Sequence, residues 1–506
     1  MIQGKNGKEF IYRRLKRRSV LNKIDIMELT VEQLHQAIES GELTVKKLVL
    51  EYLERIRRFD QEGPKLNSII CINDDVIKEA EALDNYYISH GFKGPLHGVP
   101  ILLKDNVHTT NMPTTAGSKS LEGFFSNEDA SIVKKMKDAG ALIIAKTNLH
   151  EFAIWGETIS SMQGQTLNPY DLTRTPGGSS GGTGASVAAN FGLMGIGTDT
   201  INSIRSPSSA NCLVGIRPTI GLVSKYGVVP YSNTQDVIGP IARTVEDATK
   251  LLDAVYGYDA KDPKTAWSVG RVNQSYIEFL KVEGLENKRI GVLKGFFGQD
   301  EIHETTNREV NKAIDILEEN GATMIALDDV IDSGDLVQNV SVHLYDLKDH
   351  LNAYLSELHS APVHSVNEIL ESGKHHEGIK ENLEKANQLS TGTSIYNERL
   401  IKRIATQNSL IQLMATHQLD AIVYPHQKQL VCKVGGSQNE RNGVLASVTG
   451  FPSICVPAGF SDPTEDAKLG VPIGMEILGR PFSEGVLIEI AYAYEQFSKV
   501  RQAPLV

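Results

Sequence analysis

Short apolar runs alternate with helix-periodic segments along almost the whole chain, and this alternation restricts the fold more than any other feature. Val45, Leu48, Val49, Tyr52, Leu53, Ile56 and Phe59 recur at helical spacing behind Thr44, a fitting N-cap. A β-like run at Ser68–Ile72 is followed by a charged helical stretch from Asp75 to Tyr87. Val99–Leu103 reads as a buried strand, Ala130–Gly140 as a helix closed by glycine, and Ala141–Ala145 as another strand. The scheme continues through strand-like Leu193–Gly197 and through Thr244 and Asp247, which resemble a capping box ahead of Ala248–Val255. Arg289–Leu293, helical Asn307–Asn320, Thr323–Leu327, Ala421–Tyr424, Ser453–Val456 and Gly474–Leu478 complete it. Strands separated by helices predict an α/β fold, with a central twisted, mostly parallel (mixed) sheet covered by helices on both faces.

The 506 residues are enough for about three domains at ~150 residues each. No low-complexity linker or short-period repeat divides them, so a single large domain over 28–506 is expected, preceded by a basic extension at 1–27. That extension carries eight Lys/Arg and two acids within residues 1–25, while the whole chain has a formal net charge of -11. An acidic chain lacks the basic face of a nucleic-acid protein, and the extension reads as a solvated arm. No apolar stretch approaches the ~18 residues of a membrane span, so no membrane span is expected. Cys71, Cys212, Cys432 and Cys455 are scattered without a CxxC pair, which points to a reducing, cytoplasmic setting. Cys212 and Cys455 lie in apolar stretches and read as core.

Glycine is slightly abundant at 44 residues, and eight of these fall between Gly177 and Gly197. The densest part is Pro176-Gly177-Gly178-Ser179-Ser180-Gly181-Gly182-Thr183-Gly184. It lacks the Gly-Lys-Ser/Thr ending of a phosphate-binding loop, and the polar Asn168–Thr175 ahead of it is not the strand that a dinucleotide fingerprint follows. Gly178-x-Ser180-x-Gly182 fits the formula of a nucleophile elbow, but the missing strand again counts against it. Ser131-x-x-Lys134 lies in a charged helical run and reads as a solvated face.

Two other segments are chemically more informative. Gly98-Val99-Pro100-Ile101-Leu102-Leu103-Lys104-Asp105-Asn106 places a lysine at the end of an apolar strand. Burial disfavours the ammonium form, and a neutral lysine is a general base, although a lone lysine in this position commonly snorkels to the surface. Gly197-Thr198-Asp199-Thr200-Ile201-Asn202-Ser203-Ile204-Arg205 sets a serine after a strand and a polar turn, whose successive N–H groups can form an oxyanion hole.

Together these three segments resemble the amidase signature family in residues, order and spacing: 75 residues separate Lys104 from Ser179, and 24 separate Ser179 from Ser203. The resemblance extends through Gly215-Ile216-Arg217-Pro218-Thr219, Asp236–Pro240 and Arg243–Asp247, and resumes with Thr449–Pro452, Val456–Phe460 and Leu478–Phe482. It places the family core at about 95–260 and 415–500, with a divergent substrate region or cap at about 260–420. It implies a hydrolase of carboxylic amides that uses a Ser–Ser–Lys triad and no cofactor. Ser203 would form the acyl-enzyme, Ser179 would relay protons after a cis Gly178–Ser179 peptide, and Lys104 would be the neutral base. The N–H groups of Thr200, Ile201, Asn202 and Ser203 would hold the oxyanion. Asp199 and Arg205 would buttress that turn.

The family commonly has Gly-Gly where this chain has Ile201-Asn202. A β-branched Ile at positive φ is an outlier, so either Ile201 keeps negative φ or the hole is shaped differently. Six histidines (His343, His350, His359, His364, His375 and His376) crowd into 34 residues without the i,i+4 and carboxylate pattern of a metal site, so no metal is expected. They are assigned to the cap over the substrate channel or to its surface. The expected partner is a small-molecule amide, and the expected assembly a monomer or homodimer. Two rival readings are a glutaminase (A-type) subunit of a tRNA-dependent amidotransferase and a catalytically silent amidase-fold binding protein. The first would want a glutamine-binding Arg/Asp pair in the second half of the chain, and the stretch Asp420–Gly436 does not resemble that subfamily.

Overall fold

The computed structural model describes residues 26–328 and 331–506. Of the basic extension, residues 1–25 lie outside the described part. The strands in chain order are β1 (Ile69–Ile72), β2 (Pro100–Lys104), β3 (Leu142–Thr147), β4 (Ile159–Ser160), β5 (Gly164–Gln165), β6 (Met194–Asp199), β7 (Val214–Arg217), β8 (Val237–Ala242), β9 (Arg289–Leu293), β10 (Thr323–Leu327), β11 (Ala421–Pro425), β12 (Ser453–Phe460) and β13 (Pro472–Leu478). All but the small β4–β5 hairpin join one 11-stranded sheet, ordered β1-β3-β2-β6-β8-β7-β12-β13-β11-β9-β10.

The sheet is mixed, as the alternation predicts. Parallel pairing is concentrated in two trios, β3-β2-β6 and β11-β9-β10. The strands between the trios pair antiparallel, as does β1 at the edge, so the antiparallel share is larger than the alternation suggests. The cause is local. β7 leads to β8, and β12 to β13, without an intervening helix of crossover length, and such links return the chain antiparallel.

Helices pack on the sheet in two groups. Gly181–Ala188 and Arg205–Ala210 touch one another, the first lying on β2 and β6 and the second on β7, β12 and β13. Val245–Val255, Glu304–Glu319 and Glu484–Ser498 form the other group, against β8, β12 and β13. Within residues 260–420, β9, β10 and Glu304–Glu319 belong to the main sheet. His343–Ser356, Val366–Ser372 and Glu377–Gln388 instead pack as a helical group around a core of their own, shared with Phe152, Ile154 and Tyr231.

Local capping agrees with the sequence at Thr44, whose side chain accepts from Lys47 N–H. At Thr244 only half of the box forms: its hydroxyl accepts from Asp247 N–H at 3.1 Å. The Asp247 carboxylate turns away and accepts from Val31 N–H at 3.1 Å, tying the start of a second helix to the first. All four cysteines are free, with Cys212 and Cys455 buried. Among the described residues no helix is long and apolar enough to cross a membrane.

Candidate active site

β2 and β6 are parallel neighbours, so their carboxyl ends open on the same edge of the sheet, where α/β proteins form binding crevices. Lys104 ends β2, and the 199–206 turn leaves β6 beside it. The third segment reaches this edge by close packing. A Cβ on Gly195 of β6 would lie 2.4 Å from the Thr183 side chain, and one on Gly197 would lie 2.9 Å from Ser180 Oγ. The glycine excess thus lets helix Gly181–Ala188 lie directly on the strand. The polypeptide before that helix contains a cis Gly178–Ser179 peptide, at the position the resemblance implies.

Lys104 is fully buried. Its Nζ lies 2.8 Å from Ser179 Oγ, 2.8 Å from Thr198 Oγ1 and 3.4 Å from Thr198 O. Among the described residues no carboxylate pairs with it. Burial therefore wins over the more distant pull of Asp199 and Asp236, and brings the lysine down to about 7. A neutral amine has two N–H donors and one lone pair. Directing the donors at Thr198 leaves the lone pair for the Ser179 hydroxyl.

Ser203 stands at the wall of a cavity of about 320 Å3, which Thr200, Ile201 and Asn202 also line. Its carbonyl accepts from Ser180 N–H at 3.3 Å, linking the two serine segments through the backbone. Neither Ile201 nor Asn202 has positive φ, so the turn accommodates both without the glycine conformation. The backbone N–H groups of Ile201, Asn202 and Ser203 have no acceptor among the described residues, while Ile204 N–H, the next in line, donates to Asp199 Oδ2 at 3.1 Å. Thr200 is held by its hydroxyl, 2.6 Å from Asp236 Oδ1.

Beneath the turn lies an ionic network whose members are fully buried. Arg205 binds Asp199 through Nε at 3.1 Å, Glu476 through Nη1 at 2.9 and 2.7 Å, and the carbonyl of Ile201 through Nη2 at 2.7 Å. Arg217 reaches Asp199 Oδ1 at 2.6 Å. Burial pushes both carboxyls up, but the guanidinium groups prevail: Asp199 falls well below the usual carboxylate range and Glu476 falls to about 2. Asp199 and Arg205 thus brace the turn from below, as the resemblance implies. Glu476 and Arg217 join them, and the sequence reading did not single these out. Nor did it single out Thr198, or Lys146, a second buried lysine beside the site. Lys146 differs from Lys104 in having a carboxylate, Asp105, at 3.5 Å and three further oxygen acceptors.

Of the six clustered histidines, His343 lines the cavity, and burial holds it down to about 4. His350 accepts from Asn233 N–H, and His376 caps the helix Glu377–Gln388. Among the described residues no group of three or more His, Cys, Asp or Glu side chains is arranged to hold a metal ion.

The amidase family matches residues 47–488. A probable amidase of Arabidopsis thaliana is 37% identical over 500 residues, covering 95% of this chain and 92% of that protein. The A-type subunit of the glutamyl-tRNA(Gln) amidotransferase of Thermoanaerobacter pseudethanolicus is 31% identical over 496 residues, covering 95% of this chain and 99% of that protein. Among solved structures, the native peptide amidase of Stenotrophomonas maltophilia superposes with a TM-score of 0.85 at 35% identity, covering 94% of this chain and 98% of its own. Sheet, site and relatives lead to one conclusion: the chain belongs to the amidase family, enzymes that hydrolyse amide C–N bonds.

Proposed function

We propose that this amidase works through an acyl-enzyme on Ser203, with Ser179 relaying protons between Ser203 and Lys104. Ser203 Oγ attacks the substrate carbonyl carbon. Its proton moves to Ser179 Oγ as the Ser179 proton moves to Lys104 Nζ. The carbonyl oxygen gains a negative charge in reach of the N–H groups of Thr200, Ile201, Asn202 and Ser203, of which a single donor is typically worth about 10²–10³ in turnover. Collapse breaks the C–N bond, and the amine or ammonia leaves with the proton returned by Lys104 through Ser179. Water then attacks the acyl ester, giving its proton to the same relay; the acyl C–O bond breaks as the relay returns that proton to Ser203 Oγ, and the free carboxylic acid departs. The scheme uses no cofactor, and its substrate is a small-molecule amide.

The observation that carries this reading is the unpaired, buried Lys104 with Ser179 Oγ 2.8 Å away. Ser203→Ala should abolish amide hydrolysis while keeping the far-ultraviolet circular dichroism and melting temperature of the parent. A fluorophosphonate probe should label the parent on Ser203 and leave the alanine variant unlabelled. Residual hydrolysis by Ser203→Ala would overturn the scheme, and an unlabelled, inactive parent would favour a silent binding protein.

The amidotransferase relatives motivate a second reading, a glutaminase subunit delivering ammonia to a partner. Co-purification of the tagged protein with a second subunit, and glutaminase activity dependent on it, would decide for that role.

A further inference from the structure

Arg441 shares the cavity of about 320 Å3 with Ser203, and among the described residues its guanidinium makes no hydrogen bond or ion pair. The buried arginines nearby are employed differently. Arg205 and Arg217 are bonded to carboxylates, and Arg403 donates to the carbonyls of Val448 and Thr234. A guanidinium offers five donors in a planar fork, and half-burying it without an acceptor is unfavourable unless an acceptor arrives with a ligand.

The surroundings hold the fork in place and leave it unsatisfied. Arg441 lies over the Trp155 ring, its Cζ 5.1 Å from the centroid, in a cation–π contact. A Cβ on Gly156 would lie 2.4 Å from Nη1, so this position leaves the guanidinium its space. The loop beneath is unusual: Phe152, Ala153, Trp155 and Thr158 have φ of 51°, 60°, 113° and 57°, a concentration of left-handed non-glycine residues typical of ligand clamps. Nearby acids are already committed. Glu440, the acid on the cavity wall, binds His303 Nε2 at 2.9 Å and Gln429 Nε2 at 3.0 Å. Glu157 accepts from Gln438 N–H at 2.7 Å, and is felt by Arg441 electrostatically without pairing to it.

We propose that Arg441 recognises a carboxylate on the substrate, so that the amides this enzyme hydrolyses best carry an acidic group in the same cavity as Ser203. A bidentate arginine–carboxylate contact uses the fork's geometry, and the Trp155 face keeps the fork in its plane. The proposal rests on Ser203 being the site of hydrolysis.

The test is a series of monoamides (succinamic, glutaramic, adipamic and suberamic acids) run against butyramide, valeramide, hexanamide and octanamide, with released ammonia measured. For the best-fitting length, kcat/KM should favour the acid by about 10- to 100-fold, mostly through KM. Arg441→Met should collapse that ratio to about one, and Arg441→Lys should recover part of it. Should Arg441→Met fail to fold, the parent still decides: glutarate, adipate or suberate should inhibit it competitively and far better than butyrate or hexanoate. The proposal falls if no acid is preferred by the parent, if no dicarboxylate inhibits it selectively, or if Arg441→Met lowers both members of each pair equally. In those cases hydrolysis of the alkanamides through Ser203 would stand. Turnover surviving Ser203→Ala would instead remove the reading beneath.

Discussion

Nζ of Lys104 lies 2.8 Å from Oγ of Ser179 in a fully buried setting, and the contact has meaning for a base only when the lysine is neutral. Because burial brings this lysine down to about 7, kcat/KM should rise with pH through a single ionisation near that value and level off above it. Initial rates on a neutral amide across about pH 5.5–9 check this, with a neutral substrate chosen so that only the enzyme titrates. A profile falling through neutrality would contradict Lys104 as the base.

In the proposed scheme Ser179, whose Oγ meets Lys104 Nζ, relays protons for Ser203, so its removal should be almost as damaging as removal of the proposed nucleophile. Ser179→Ala should lower kcat by at least about 10²–10⁴-fold, the span of general acid–base catalysis, with KM little affected. Steady-state kinetics on one amide measure both. A loss confined to KM would place Ser179 in binding.

The same lysine has a signature in stability. Its affinity for a proton is lower folded than unfolded, where it returns to an ordinary 10.5. The penalty of burying the charge is complete below about pH 7, and it fades as pH rises towards 10.5 and the unfolded chain also becomes neutral. Lys104→Met should therefore gain melting temperature relative to the parent most at neutral and mildly acidic pH, and progressively less towards pH 10. Parallel thermal scans of the two proteins report the difference directly.

Much of this fold was legible because the strands are short apolar runs between periodic helices, a pattern that local residues impose. Strand direction was less so: β7–β8 and β12–β13 run antiparallel because of what is missing between them, which an alternating pattern does not record. Asp247 shows the same limit at a helix start, since its carboxylate serves Val31, 216 residues away. At the site, Lys104 stood out as a lysine ending an apolar strand, and Ser203 as a serine after a strand and polar turn. The role expected of Ser179 and the joining of the three came from the family resemblance. Glu476 and Arg441 did not stand out, because their meaning comes from partners and cavities assembled only by folding. Arg205 and Glu476 are 271 residues apart.

The packing of helix Gly181–Ala188 gives a sharper test of the glycine cluster. A Cβ on Gly182 would lie 2.2 Å from the carbonyl oxygen of Asn148 and 2.6 Å from its nitrogen, backbone atoms of the residue that follows β3. Gly182→Ala should destabilise by at least about 1–3 kcal/mol and displace Ser179, lowering activity with stability. Gly392, which has nothing within 4 Å of its would-be Cβ, supplies the control, and Gly392→Ala should be close to neutral in both respects. Melting temperature and turnover measured on the pair separate local crowding from a general intolerance of alanine.

The ionic network under the turn that leaves β6 predicts how the enzyme fails in acid. Glu476 accepts both Nη1 contacts of Arg205 and also bonds Tyr424, His426 and Ser453, so Glu476→Gln would leave a buried guanidinium short of a counter-charge. Breaking such a pair from one side costs about 3–5 kcal/mol, and the loss should reach activity because Arg205 also holds the Ile201 carbonyl. The folded-state affinity of Glu476 for a proton is depressed, from an ordinary 4.5 to about 2, and that of Asp199 is depressed as well. Their stabilisation is complete above the unfolded values and is lost as pH falls towards the folded ones. The parent should accordingly lose melting temperature steeply between about pH 4.5 and 2, and Glu476→Gln, already less stable at pH 7, should fall more gently over that interval because one of the two titrating carboxylates is gone. Thermal melts of both proteins at half-unit pH steps give the two slopes, and equal slopes would show that the acid transition is governed by carboxylates outside this network.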